Sequence, residues 1–309
     1  MLMDAERLPR HPSWRFAFIS YLTTDPLFVA LQYGMQDAVA LVGCTATWGG
    51  SPNGDATEVA KAVDLAVSEK VDGIAVPVLG SEALDDAVGR ATVAGIPAVA
   101  LNVRTPGELR LPYVGMPSGP AAARIAARIA GKLRSGDVAV LAGERELVAL
   151  GPLAHALVAA LGRTGPLRAS LVTTGIDVYA QLGAVAEYVA KHRDVRALVA
   201  LDTGSTEALG AALSKLGPGG PLAAGSGVLP ATLKLVAEGT LDFTIDEQPY
   251  QQGFLAALQL FLTKLSGGLL APADVRTGPV FVTKQSVGRY LNTRTRFEGS
   301  SSRQKYPIG

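Results

Sequence analysis

Residues 241–253 read LDFTIDEQPYQQG, and the fold turns on how that stretch is read. Leu241, Phe243 and Ile245 are apolar at alternate positions, the pattern of a strand set into a core. Asp246, Glu247 and Gln248 then break the pattern, and Pro249 opens what reads as a helix. An acid near a helix N-terminus is favoured by the helix dipole, which accounts for one of these residues but not for the cluster.

The same sequence of events, strand, polar tip, helix, recurs along the chain. Strand candidates are 14–20, 44–49, 73–78, 97–103 and 113–116, then 137–143, 169–175, 197–202, 221–227 and 241–247. Helical patterns fill 27–42, 55–70, 82–94, 119–133, 147–161, 178–192, 205–216, 230–238 and 250–266. In 55–70, Val59, Ala62, Val63, Ala66 and Val67 line one helix face, and Asp55 with Glu58 has the spacing of a capping box. Strands alternating with helices predict an α/β fold with parallel sheets. Two series of four or five strands predict two similar halves.

At 309 residues the chain is long for one core. Lys plus Arg (28) nearly cancels Asp plus Glu (27), so no overall field favours nucleic acid or an anionic membrane. The single Cys44 excludes an internal disulfide and a thiolate metal cluster. No apolar run approaches the roughly 18 residues of a membrane span. The opening MLMDAERLPRHPSW has no apolar signal core, the expectation being a cytoplasmic protein or an exported one trimmed of its leader. The polar, basic stretch 293–309 is expected to be poorly packed.

In open α/β sheets ligands meet the carboxyl ends of the strands, so the strand tips carry the candidates. Asp25 precedes Pro26 and is either a helix cap or an acceptor for ligand hydroxyls, with Phe28 covering an apolar face. Trp48, beside two glycines, is either a packing anchor or a ligand platform. Asn102 both donates and accepts, as a sugar hydroxyl does, and has a turn cap as its other reading. Asp202 and Ser226 close later strands. The glycine-rich phosphate loops GxGxxG and GxxxxGK[ST] are missing, as are GxSxG and HExxH. His11, His155 and His192 are scattered without ligand spacing, so catalysis, a metal and a cofactor are not expected.

FISYLTTDPLFVALQYGMQDA (18–38), VDGIAVPV (71–78), GIPAVALN (95–102), YVGM (113–116), LKLVAEGTLDFTIDEQPYQQG (233–253) and TGPVFVTK (277–284), in that order, resemble the type I periplasmic binding proteins. Within that group the likeness is to the ribose-binding-like sugar receptors of ABC transporters. The resemblance implies two Rossmann-like lobes with a ligand cleft between them and a three-segment hinge. The crossovers are expected near Met116–Ser118, Glu247–Pro249 and Arg276–Pro279, giving lobes of 14–116 with 248–277 and 117–247 with 278–292. It puts ring-facing residues at Asp25, Leu27 and Phe28, a hydroxyl-gripping residue at Asn102 and a crossover contact at Glu247, with Asp246 at the cleft floor. The family's arginines fall on Val103 and near Gly151, and its Phe-Asp pair falls on Ser226-Gly227. A fork-like arginine grip is therefore not expected, which favours a neutral sugar or sugar alcohol.

The partners so implied are a small carbohydrate or polyol and ABC permease subunits, for a monomer outside the cytoplasm, membrane-associated if lipidated. A sensor feeding a signalling partner, and a receptor for an amine or nucleoside, are the alternatives. An enzyme on this scaffold would need a nucleophile and base that the sequence does not display. The residues ahead of the first strand are too few for a helix-turn-helix.

Overall fold

The computed structural model describes residues 11–107, 109–144, 146–216 and 219–291; the stretch 293–309 and residue 292 lie outside them. The chain begins with β1 (Arg15–Ser20), α1 (Leu27–Leu41), β2 (Thr45–Gly50), α2 (Ala56–Ser68), β3 (Gly73–Val78), α3 (Glu82–Val93), β4 (Ala98–Arg104) and β5 (Tyr113–Gly115). There follow α4 (Ser118–Ala130), β6 (Gly136–Ala142), α5 (Leu147–Gly162), β7 (Leu167–Thr173), α6 (Val178–Lys191) and β8 (Ala197–Ala200). Next come α7 (Thr203–Leu213), β9 (Leu222–Ser226), α8 (Pro230–Glu238) and β10 (Phe243–Asp246). The last elements are α9 (Pro249–Leu265), β11 (Val275–Arg276), β12 (Val280–Thr283) and α10 (Gly288–Leu291).

Two six-stranded sheets result, ordered β11-β5-β4-β3-β1-β2 and β12-β10-β9-β8-β6-β7. The chain passes between them after β5, after β10 and after β11. The fold is thus the two-lobed α/β architecture that the strand and helix alternation predicts, with one correction. The second sheet is not wholly parallel: β12 runs antiparallel to β10, with Asp246 opposite Val280. Only Thr277–Pro279 separates β11 from β12, and a parallel return needs a crossover far longer than that.

The central strands are buried on both faces, as in β3 (GIAVPV) and β8 (ALVA), because helices cover each side of the sheet. Phe16, Phe18, Ile74, Leu84 and Leu260 anchor the first core. The second sheet has a cluster on each face, one around Ile125, Leu157 and Phe243 and the other around Leu141, Leu198 and Val236.

Helix entry follows local chemistry. Asp55, Asp177 and Asp202 accept from the backbone N–H of Thr57, Ala180 and Ser205 to cap α2, α6 and α7. The capping box is incomplete, however, since Glu58 turns to Ser51, whose Oγ donates to Glu58 Oε2 at 2.8 Å. Helix α9 lies on α1 in backbone contact. A Cβ on Gly34 would stand 1.9 Å from Tyr250 O, and one on Gly253 would stand 2.1 Å from Leu31 O. Nothing larger than hydrogen fits at either position, so the helix leaving the crossover is seated against the helix that follows the β1 tip.

Candidate functional site

The carboxyl ends of both sheets face one cleft, and the middle crossover forms its floor. On the first lobe the β1 tip carries Tyr21, Asp25, Leu27 and Phe28. Asp25 Oδ1 accepts from Leu27 N–H at 2.8 Å, the local turn that starts α1. The Thr203 side chain, on the other lobe, approaches the Asp25 carboxyl and lowers it. Leu27 reaches across as well, its Cδ1 lying 3.8 Å from where a Cβ on Gly227 would stand. The two lobes are therefore in contact, which is a closed arrangement. Burial raises the Asp25 carboxyl above its ordinary range, against the Leu27 hydrogen bond and the Thr203 side chain, and Asp202 and Glu207 push in the same direction as burial.

Phe28 is buried, with ring centroids 5.6 Å from Tyr21 and 5.9 Å from Trp48. The Trp48 indole N–H is buried and meets no acceptor among the described residues. A buried donor left in this way favours an incoming oxygen. Tyr21 was not singled out from the sequence, yet it stands at the centre of the charge. Burial pushes its hydroxyl well above the ordinary range, followed by Asp25, Glu247, Glu146 and Asp202.

Asn102 occupies the left-handed region at φ 62° within β4, a conformation uncommon outside glycine. Its backbone oxygen accepts from Tyr113 O–H at 2.7 Å. Its Nδ2 donates to Gln252 Oε1 at 2.9 Å and to Glu247 Oε2 at 3.4 Å. Glu247 is 7% exposed, and burial lifts its carboxyl to about 7, with Asp246 and Asp25 adding to the rise and the Asn102 amide opposing it. Near neutral pH this carboxyl is present in both forms, so it can donate or accept.

The crossovers are stitched together behind Glu247. Its carbonyl accepts from Thr277 Oγ1 at 2.9 Å and from Gln252 Nε2 at 2.8 Å. Gly278, at φ 45°, brings the third crossover against the second, where a Cβ would lie 3.0 Å from Asp246 O.

On the second lobe Asp202 is a brace. Its Oδ2 accepts from Gly143 N–H at 2.8 Å, and its Oδ1 accepts from Ser205 N–H at 2.7 Å and Gln181 Nε2 at 3.3 Å. It thereby ties the tips of β6 and β8 to α6 while its charge reaches Asp25 and Tyr21. Ser226 closes β9, its N–H donating to Thr206 Oγ1 at 2.9 Å.

The structure thus brings Asp25, Leu27, Phe28, Trp48, Asn102, Asp202 and Glu247 to one cleft. Asp246 departs from the expected place. Its carboxylate turns away from the cleft and accepts from Gln248 N–H at 2.8 Å, from Gln248 Nε2 and from Tyr290 O–H at 3.2 Å. Asp246 ends β10 and Glu247 lies just beyond it, and the two carboxyls take different partners, Gln248 and Tyr290 for the first and Asn102 for the second. Sequence reading missed Tyr21, Glu146 and Gln252. Only Tyr21 and Gln252 lay in stretches already quoted, at a strand tip and in a crossover, and position was their only signal.

Two parallel α/β lobes closing on a polar cleft, with three crossovers beneath it, define a ligand-trapping receptor. Comparison with known proteins agrees. The periplasmic binding protein domain model matches residues 16–265. The xylose/arabinose-binding protein XylF of Sulfolobus acidocaldarius is 34% identical over 316 residues, which span 97% of this chain and 78% of that protein. An ABC transporter solute-binding protein from Burkholderia graminis in complex with D-arabinose aligns with a TM-score of 0.80 at 21% identity, covering 89% of this chain and 98% of that one. A carbohydrate transporter from Acidothermus cellulolyticus in complex with myo-inositol aligns with a TM-score of 0.78 at 23% identity, covering 91% and 98%. The chain belongs to the periplasmic binding protein family, in its type I form. Among the described residues no helix is long and apolar enough to cross a membrane.

Proposed function

We propose that the chain is the solute receptor of an ABC importer, working outside the cytoplasmic membrane and handing a small neutral sugar or sugar alcohol to permease subunits. The observation that carries this reading is the polar set drawn from both lobes, with Asp25 approached by Thr203 of the other lobe and Asn102 and Glu247 beneath them. Hydroxyl groups donate and accept together, which matches carboxylates, a carboxamide and a carboxyl poised near neutrality. Leu27, Phe28 and Trp48 supply an apolar wall for the C–H face of a sugar ring, and Ser226 stands at the opposite tip. A pentose is favoured within that class, because the relative named for xylose and arabinose aligns with 97% of this chain.

The working parts are lobes 14–116 with 248–277 and 117–247 with 278–292, hinged at the crossovers. Ligand gripped by one lobe shifts the open–closed equilibrium to the extent that it binds the closed form more tightly. Calorimetric titration with D-xylose, L-arabinose, D-arabinose, myo-inositol and D-allose tests the reading. One-site binding of a pentose is expected. Binding of none of them, while the folded protein binds a nucleoside, or an amine in a way that Asp25→Ala abolishes, would discard the sugar assignment.

A further inference from the structure

At the crossover lies a cavity of about 400 Å3 lined in part by Asp246, Gln248, Tyr250, Phe254 and Tyr290, and by none of Asp25, Asn102 or Glu247. Such a volume is within the range of small-molecule sites. Its walls come from both lobes: Tyr250 and Phe254 from α9, packed on the first sheet, and Asp246 and Tyr290 from β10 and α10 of the second. The Tyr250 and Phe254 rings are stacked, with centroids 6.1 Å apart and planes 18° apart.

Asp246 gives the cavity its chemistry. It is 4% exposed, and its hydrogen-bond donors, Gln248 and Tyr290, are neutral. None of the ion pairs among the described residues includes it. A buried carboxylate without a cation is costly, and burial accordingly raises this carboxyl above its ordinary range. A neutral polyol would stack on the rings but leave that cost in place. A cation offsets it, and ring faces attract cations, most of all those whose charge is spread over alkyl groups.

We propose that this hinge cavity is a second binding site, and that it takes a small organic ammonium ion, held by Asp246 and faced by the Tyr250, Phe254 and Tyr290 rings. The site stands independently of what the cleft binds. Its occupant touches both lobes, so its affinity depends on the angle between them.

Tetramethylammonium chloride, titrated calorimetrically into the full chain against a matched sodium chloride titration, tests it. The parent protein is compared with Asp246→Asn and Phe254→Leu, each checked for a native thermal transition. Saturable one-site binding is expected in the parent, weakened at least about tenfold in both variants. Phe254→Leu keeps the test decisive if Asp246→Asn fails to fold. Absence of saturable binding by the folded parent would overturn the proposal. So would unchanged binding in Phe254→Leu, which would move the cation to the cleft beside Glu247.

Discussion

Asp246 and Glu247 are neighbours in the chain and serve opposite sides of the crossover. Both are buried, and burial raises both carboxyls. Their surroundings differ. Glu247 faces the cleft, where the Asn102 amide opposes the rise and Asp25 adds to it. Asp246 faces the hinge cavity, where Gln248 and Tyr290 donate to it. One step of backbone therefore separates a carboxyl that meets Asn102 of the first lobe from one held by the hinge residues Gln248 and Tyr290. The comparison teaches that an acid cluster in a sequence marks a location, while the facing of each acid decides what it does.

The largest expected effect breaks the pair at Glu247. Its carboxyl sits at about 7 in the folded protein against an ordinary 4.5, so folding takes up a proton between those values. Its stabilising contribution is complete below pH 4.5 and is lost as pH rises through about 7. Glu247→Gln should flatten that dependence and make the ligand-free protein more stable than the parent at pH 8 by about 2–3 kcal/mol. Urea unfolding across pH measures it. Parallel pH profiles for the two proteins would place the buried charge elsewhere.

Next is Gly278, whose close approach holds the carbonyl of one acid and the backbone of the other. Gly278→Ala forces a side chain into a φ of 45° and into a 3.0 Å contact with Asp246 O, for a loss of about 1–3 kcal/mol. Chemical unfolding would show it, and an unchanged midpoint would mean that the crossovers are not tightly coupled.

Cleft-side truncations sharpen the comparison further. Asp25→Ala and Asn102→Ala should each weaken sugar binding by at least about 1 kcal/mol, because a buried hydroxyl loses its partner. His155→Ala, at an exposed position on α5, should leave affinity unchanged. If calorimetry ranks His155→Ala with the other two, the cleft has been misassigned.

The smallest effect is on the hinge side. Tyr290→Phe removes one hydrogen bond to Asp246 and should lower the unfolding free energy by about 0.5–1.5 kcal/mol. No loss in thermal unfolding would show that Gln248 alone satisfies the carboxylate.

Much of the architecture was legible in the residues themselves. Alternating apolar runs and helical periodicities located the elements, since burial on both sheet faces requires them. Strand tips marked Asp25, Phe28, Trp48 and Asn102 as candidates, because ligands in such folds meet the carboxyl edge, and the structure groups them. Other features had no local sign. Glu58 has capping-box spacing but bonds to Ser51, since a side chain takes the partner that packing presents. Thr203 reads as the close of a strand beside Asp202, and its approach to the Asp25 carboxyl depends on a lobe whose strands lie far along the chain.

The sequence by itself determined that this chain builds two similar α/β halves, and that polar residues gather where strands end. Those properties follow from periodicity and turn chemistry, which act over a few residues. Tertiary structure alone decided that β12 runs antiparallel, that Asp246 turns from the cleft while Glu247 enters it, and that Asn102 meets a carboxyl 145 positions away. Contacts of that span form only when both lobes and the hinge are in place, so the physical reason lies in the packing between segments and not in any segment read alone.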